Sequence, residues 1–146
     1  MAYTLQQLSD LEDIRTLKHR YFRGIDTADL ALLGTLFTPD LTVDYRGGTY
    51  RVRLEGRDNM LEFLANSFHS GAVAMHHGHM PEIDIISPTE ARGVWAMEAL
   101  VEAGNSSFHG FGHYWETYRK EGGEWRIAKL LITRLRFEQL SRLAKR

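Results

Sequence analysis

The feature that most constrains the fold is a run of four predicted strands in the second half of the chain. Residues 73 to 137 read as successive strands separated by short breaks rich in Gly, Pro, Asn and Ser. These breaks fall at Ser87-Pro88-Thr89, Ala103-Gly104-Asn105 and Glu121-Gly122-Gly123. Because short connections join consecutive strands in antiparallel order, we expect a long meandering antiparallel sheet.

The first half of the chain is predicted to be mostly helical. Apolar residues recur every three or four positions from Thr4 to Ile25, which is typical of a long amphipathic helix. Thr4 and Gln7 fit a capping box at its start. A second, short helix is expected from Asp29 to Phe37, and a third opens at Gly56-Arg57-Asp58.

Two further segments complete the predicted organisation. Leu41 to Tyr45 and Thr49 to Leu54 alternate on either side of the turn Arg46-Gly47-Gly48, which indicates a hairpin. Phe137 to Arg146 is expected to close the chain as a short basic helix or tail. Helices followed by a large antiparallel sheet indicate an α+β fold, with the helices on one face of the sheet. The length fits one domain over residues 1–146.

Composition excludes several classes of function. With 18 basic and 19 acidic side chains the formal charge is −1, so we expect neither a nucleic-acid nor a membrane partner. The absence of Cys excludes disulfides, thiolate metal sites and a Cys nucleophile. Neither a signal peptide nor a membrane-spanning run is seen, which favours a cytoplasmic location. The glycines form no nucleotide-binding motif, so no cofactor is expected.

A pocket between helices and sheet would be marked by polar residues among apolar ones. Tyr21 lies in the apolar stripe of the first helix, and Asp26 lies at the end of that helix. Each also has a structural interpretation: Tyr21 as a core aromatic residue, and Asp26 as a helix cap. Arg134 follows Leu130 and Ile132 in an apolar row of the last strand. It either pairs with a structural carboxylate or faces the pocket, because an unpaired buried arginine is costly.

Histidines are the most conspicuous group of chemically active residues. Five of the seven lie between His76 and His113. Strand alternation puts His76 on one face, with His77 and His79 on the other, so at least one should face the pocket. There an imidazole held by a carboxylate would be a general base. His77 and His79 with Glu82 also suggest a metal site, but Glu82 has the opposite parity, and we predict no metal.

The strand from Phe108 to Tyr118 has an aromatic face. His109, Phe111, His113 and Trp115 share this face. Such a face would suit a flat apolar substrate, but core packing and an oligomer interface explain it equally well.

Four segments of the chain together carry a family resemblance. They are Tyr21-Phe22-Arg23-Gly24-Ile25-Asp26, Met75-His76-His77-Gly78-His79-Met80-Pro81-Glu82-Ile83, Gly93-Val94-Trp95-Ala96-Met97-Glu98, and Trp125 with Arg134 nine residues later. They resemble the SnoaL-like branch of the nuclear transport factor 2-like superfamily, most of all the subgroup of bile acid 7α-dehydratase. Scytalone dehydratase and hexachlorocyclohexane dehydrochlorinase are more distantly similar. The resemblance implies a cone-shaped α+β fold, with three helices on a strongly bent, mixed, mostly antiparallel sheet around a deep apolar pocket.

The resemblance also implies roles for individual residues. His76, oriented by Asp26, would remove a proton from the substrate. Tyr21 and Arg134 occupy the positions of the family tyrosine and arginine. The residues expected to bind substrate are Arg134, Tyr45, Trp95, His113 and Phe111.

One position departs from the subgroup. The subgroup has a second acidic residue where this chain has Ala99, and Glu98 is predicted to point the other way. The sequence hypothesis is a cofactor-independent lyase of the dehydratase type that acts on an apolar cyclic, steroid-like or polyketide-like substrate. A non-catalytic ligand-binding module, or an isomerase or cyclase with the same pocket, are the alternatives. The resemblance further implies a homodimer or homotrimer.

Overall fold

Three helices and six strands make up the part of the chain that the computed structural model describes, residues 2–47, 50–68 and 71–141. None of these helices has the length and apolar character needed to span a membrane. The helices are α1 (Leu5–Asp26), α2 (Leu30–Gly34) and α3 (Arg57–Ser67). The strands are β1 (Phe37–Gly47), β2 (Tyr50–Glu55), β3 (Ala72–Ser87), β4 (Glu90–Ala103), β5 (Ser106–Glu121) and β6 (Glu124–Ser141).

The strands form one sheet in the order β2-β1-β6-β5-β4-β3. β1 and β6 run parallel, and every other neighbouring pair is antiparallel. The predicted meander is confirmed, because β3 to β6 follow one another in space and in sequence. Their connections coincide with the three predicted breaks. The α+β class and the mixed, mostly antiparallel sheet are therefore confirmed.

Helix α1 lies on one face of the sheet, which we call the inner face. At its start, the Thr4 hydroxyl accepts a hydrogen bond from the Gln7 backbone N–H at 3.1 Å, and the Gln7 side chain accepts one from the Thr4 N–H at 2.9 Å. This reciprocal pair is the predicted capping box. Along the helix, Ile14, Tyr21 and Ile25 are at most 2% exposed. The predicted apolar stripe thus faces the core.

A buried carboxylate fastens the first half of α1 to the sheet where β5 ends and β6 begins. Asp10 is 2% exposed, and its Oδ1 accepts hydrogen bonds from Trp125 Nε1 at 3.0 Å, Lys120 Nζ at 3.2 Å and Gln6 Nε2 at 3.2 Å. Burial alone would raise the pKa of Asp10, but these donors, Trp125 first, outweigh it and lower the pKa below its usual value. The carboxylate therefore stays charged and bonded.

A β-bulge bends the sheet near the end of β6. Gly112 pairs with Arg134 and the next pair is Phe111 with Arg136, so Leu135 is an extra residue on β6. Only glycine fits at position 112, because a Cβ there would lie 2.0 Å from a carbonyl oxygen of β6. The bulge reverses the alternation of β6, so side chains beyond it exchange faces.

Two predicted boundaries are wrong. Phe137 to Arg146 was expected to be a helix or tail, but β6 continues to Ser141, paired with β5 as far as Ser106. Residues 142–146 lie outside the described part. The second predicted helix was extended to Phe37, which instead begins β1, is fully buried and pairs with Ile127. Pairing with β6, a long-range contact, overrides the local helical pattern.

The predicted hairpin is confirmed. β1 and β2 pair antiparallel from Thr42 opposite Glu55 to Gly47 opposite Tyr50. Gly48 and Thr49, which belong to the predicted turn and second strand, lie outside the described residues.

Candidate active site

A cavity of about 320 Å³ lies between the helices and the inner face of the sheet. Its wall is mostly apolar, and four phenylalanines from α3, its C-cap, β5 and β6 contribute to it: Phe63, Phe68, Phe108 and Phe137. Phe137 reaches this face because of the bulge in β6. The polar side chains of the wall are Tyr21, Tyr45, Ser67, His76, Tyr114 and Arg134. A few polar groups in an apolar cavity are typical of a small-molecule site.

Asp26, the last residue of α1, binds His76 at two points. Its carboxylate accepts hydrogen bonds from the His76 backbone N–H at 3.1 and 3.2 Å, and it contacts His76 Nδ1 at 2.7 Å. The His76 side chain is 8% exposed, and its ring packs edge-on against Phe68 at 5.5 Å. The double contact fixes both the position of β3 and the orientation of the imidazole.

This geometry decides which ring nitrogen is available for chemistry. An ionised carboxylate can only accept, so the Asp26 contact places a hydrogen on Nδ1 of His76. In the neutral imidazole Nε2 then keeps its lone pair, and it is the nitrogen not engaged by Asp26. Such an imidazole is suited to act as a general base.

Three phenols stand together in the cavity wall. The hydroxyls of Tyr21 and Tyr45 lie 3.3 Å apart, and the ring of Tyr114 packs edge-on against Tyr21 at 6.0 Å. Burial raises the pKa of Tyr21 and of Tyr114 well above the ordinary 10.0. Both phenols are therefore protonated at neutral pH and can donate hydrogen bonds.

Arg134 supplies the cavity wall with a cation. It is half-buried, its Nη1 donates to the Arg46 carbonyl at 3.3 Å, and its guanidinium lies 5.2 Å from the ring centre of Phe137. Gly47 makes this close packing possible, because a Cβ there would lie 2.7 Å from Arg134 Cδ. A guanidinium fixed in this way can stabilise a negative oxygen.

Behind the phenols lies a buried ion pair. Lys18 on α1 and Glu116 on β5 have fully buried side chains, with 2.5 Å between Nζ and Oε1. The ammonium lies 3.8 Å from the ring centre of Tyr21 and 3.5 Å from that of Tyr114. Sequence analysis missed both residues. The available signal was that Lys18 falls four residues after Ile14 on the buried stripe.

A family model for the SnoaL-like domain matches residues 6–130, which is most of the chain. The chain belongs to the SnoaL-like family. The predicted membership of the nuclear transport factor 2-like superfamily and its cone-shaped α+β fold are thereby confirmed.

Solved structures with the same fold carry names of different activities. A candidate scytalone dehydratase from Novosphingobium aromaticivorans is 22% identical, with a TM-score of 0.80 over 91% of this chain and 89% of that one. Hexachlorocyclohexane dehydrochlorinase LinA-type3 from Novosphingobium barchaimii is 20% identical, with a TM-score of 0.78 over 93% of each chain. A candidate aromatic ring hydroxylase from N. aromaticivorans is 18% identical, with a TM-score of 0.83 over 91% and 94%. At these identities the likeness shows the fold alone.

The SnoaL-like fold brings most of the predicted site residues together. Tyr21, Tyr45, His76 and Arg134 all line the cavity, and Asp26 lies directly behind His76. Helix α1, β1, β3 and β6 each contribute at least one of these residues. Their catalytic and binding roles remain predictions.

Trp95, predicted to bind substrate, does not line the cavity. It is 2% exposed, and its Nε1 donates to the Tyr118 hydroxyl at 2.9 Å. Gly78 lets Trp95 and Phe22 close over β3, since a Cβ at position 78 would lie 2.5 Å from the ring of Phe22. Trp95 is therefore a core residue beside the site.

Phe111 and His113, also predicted to bind substrate, lie on the outer face of the sheet. The inner face of β5 carries Tyr114 and Glu116 instead, and neither Phe111 nor His113 is part of the cavity wall. The prediction placed Phe111 and His113 on the cavity face, which is wrong. Aromatic residues occur on both faces of β5, so the sequence alone does not distinguish them. Phe111 and Trp115 are 37% and 44% exposed. Association of SnoaL-like subunits through this face, as homodimer or homotrimer, stays a prediction.

His77 and His79, the alternative metal site, are both exposed on the outer face, with ring centres 6.1 Å apart. Within residues 2–47, 50–68 and 71–141, no group of three or more His, Asp or Glu side chains is arranged to hold an ion.

On β4, Ala99 lies directly opposite His76. The cavity wall contains no carboxylate among the described residues.

Proposed function

We propose that this protein is a cofactor-independent lyase of the dehydratase type, in which His76 and Asp26 act together on a small apolar, cyclic substrate. The observation that carries the proposal is the 2.7 Å contact between Asp26 and His76 Nδ1 at an apolar cavity. Binding an apolar ligand needs no oriented base. Proton abstraction from carbon does.

The proposed step is an elimination beside a carbonyl group. Nε2 of His76 takes the acidic proton next to the carbonyl, and the electrons of that C–H bond pass to the carbonyl oxygen, which becomes an enolate. The imidazolium, stabilised by Asp26, then gives the proton to the hydroxyl on the β carbon. As the enolate re-forms the carbonyl, its electrons make the new C=C bond and the C–O bond breaks with loss of water. His76 performs both transfers, because the imidazolium that it becomes is the acid that Asp26 holds at the cavity. The proton and the hydroxyl therefore leave from the same side of the substrate.

The remaining polar groups support the developing charge. Tyr21 and Tyr45 would donate hydrogen bonds to the carbonyl oxygen as it becomes an enolate, and Arg134 would neutralise it. Each such donor typically contributes roughly 3 kcal/mol to the transition state. The four phenylalanines would exclude water and hold the apolar ring. The names of the dehydratase and dehydrochlorinase with this fold support an elimination reaction.

The test is His76→Ala, assayed with a panel of small cyclic β-hydroxy ketones by the absorbance of the conjugated product. We expect turnover to fall about 10²- to 10⁴-fold while the melting temperature changes little. His77→Ala is the matched control, because the neighbouring histidine is exposed on the outer face. Undiminished turnover in His76→Ala would disprove the mechanism. Tight binding of the panel by the wild type without any turnover would favour a ligand carrier.

A further inference from the structure

The buried pair of Lys18 and Glu116 has no part in the elimination described above. It joins α1 to β5, and both side chains are completely buried. Replacing a buried ion pair by apolar residues of similar size is often neutral or stabilising, so fold stability alone does not account for it. Its position relative to the cavity offers an explanation.

The ammonium of Lys18 contacts the rings of two cavity phenols from behind. On α1 it faces Tyr21 at 3.8 Å and Phe22 at 4.7 Å from the ring centres. On β5 it faces Tyr114 at 3.5 Å and the carboxylate of Glu116. Tyr21 and Tyr114 line the cavity, whereas Lys18 is not part of its wall.

A cation in this place changes what the phenols can do. An ammonium over a ring face is attracted to the π electrons and withdraws density from the ring, most effectively where water is excluded. A phenol depleted in this way donates a stronger hydrogen bond to an oxygen that becomes negative. The carboxylate of Glu116 acts in the opposite sense on both phenols. Its contribution is to hold the ammonium in place and charged.

We propose that Lys18 is a positioning residue of the site, whose ammonium, held by Glu116 behind Tyr21 and Tyr114, strengthens the hydroxyls of both phenols as donors to an oxyanion in the cavity. The inference deepens the proposed function and rests on it, since the oxyanion is the enolate of that reaction. Its electrostatic part can be tested without any substrate.

The surroundings make the charge of Lys18 sensitive to pH. Burial lowers the pKa of Lys18 from 10.5 to about 8, although attraction to Glu116 acts in the opposite direction. The charged and titratable groups around the ammonium are Glu116, Tyr21 and Tyr114, with Tyr118 beyond Glu116. Both phenols stay protonated in this range because burial raises their pKa values. The donors should therefore weaken as pH rises through about 8.

The first readout is fluorine NMR of protein labelled with 3-fluorotyrosine, with signals assigned by Tyr21→Phe and Tyr114→Phe. We expect the Tyr21 and Tyr114 signals of the wild type to titrate together near pH 8. The step should vanish in the double variant Lys18→Met, Glu116→Gln. A step that persists in this variant, or Tyr21 and Tyr114 signals that are the same in both proteins at every pH, would overturn the proposal.

The second readout is the pH profile of kcat/KM for the best member of the ketone panel. The double variant should lose roughly tenfold in kcat/KM at neutral pH and lack the decline near pH 8. Lys120→Met is the matched control, because Lys120 also pairs with a buried carboxylate, that of Asp10, and stands 5.8 Å from the ring centre of Trp125, away from the cavity.

The outcomes separate this inference from the proposed function. Turnover that requires His76 but is unchanged in the double variant overturns the role of Lys18 alone. An equal loss at every pH, with the wild-type decline retained, also overturns it, because a purely structural defect would act in that way. If the wild type turns over no ketone, the proposed function fails, and the fluorine titration still decides the electrostatic part.

Discussion

Two aspartates on α1 reach across to the sheet, and the difference between them separates a structural carboxylate from a candidate catalytic one. Asp10 is almost fully buried and accepts hydrogen bonds from Trp125 and Lys120, which lie where β6 begins and β5 ends. Asp26 keeps 25% of its side chain exposed and binds the backbone and the ring of His76. Asp10 thus joins α1 to β5 and β6, whereas Asp26 joins the same helix to β3.

The partners explain the difference. An indole N–H and an ammonium donate hydrogen bonds but do not exchange protons with a ligand at neutral pH, so Asp10 is suited to fastening α1. An imidazole held at one nitrogen can accept a proton at the other, so Asp26 is suited to supporting chemistry. Carboxylates on one helix are thus distinguished by what their partners can do.

The largest effect is expected for Asp26→Asn. The amide retains an acceptor for the His76 N–H but no longer stabilises the imidazolium or selects the reactive tautomer. Turnover should fall by about 10²- to 10⁴-fold, with a small change in the free energy of unfolding. Steady-state assays and urea denaturation of the same preparation measure the two quantities. A variant that lost stability and kept its turnover would place Asp26 in the same class as Asp10.

Asp10→Ala should have the opposite profile. The change leaves the indole N–H of Trp125 and the ammonium of Lys120 without their buried acceptor, so unfolding should become easier by about 1–3 kcal/mol. Turnover at low temperature should be preserved. Glu12→Ala is the matched control, since Glu12 lies on the same helix, is 71% exposed and pairs with Arg15 only at 3.7 Å.

The contribution of Asp10 to stability should also depend on pH. Since the pKa of Asp10 is lowered below 3.8 in the folded state, the unfolded chain binds the proton more readily between the two values. The contribution of Asp10 is therefore present above about pH 4 and disappears as pH falls through the folded-state pKa. Urea titrations of wild type and Asp10→Ala should converge in acid. Curves that stay equally far apart would show that the carboxylate charge is not what stabilises the fold.

Local patterns predicted the parts of the structure that depend on nearby residues. The capping box, the buried stripe of α1 and the position of His76 on the strand face opposite His77 and His79 all follow from spacing along one element. The face of β5 that lines the cavity does not, because aromatic residues occur on both faces and long-range packing selects one. The bulge at Leu135, which turns Phe137 into the cavity, depends on pairing between two strands.

The buried charges show a second limit of sequence reasoning. A lysine on an apolar stripe is ordinarily expected to extend toward solvent, so the sequence does not mark Lys18 as a buried residue. Its burial requires Glu116 on β5, almost a hundred residues away in the chain. By contrast, Asp26 and His76 are also far apart in sequence but were paired correctly, because the family resemblance supplied that long-range information.

The smallest expected effect is that of Thr4→Ala. Its hydroxyl satisfies the Gln7 N–H and its own N–H is satisfied in return, so the change should cost about 1 kcal/mol of unfolding free energy. The first turn of α1 would fray next to Asp10, whereas Asp26 lies more than four turns away. Hydrogen exchange should increase at the start of α1 and turnover should be unchanged. If turnover fell together with stability, the two aspartates would belong to one cooperative unit, and their separation into structural and catalytic carboxylates would be wrong.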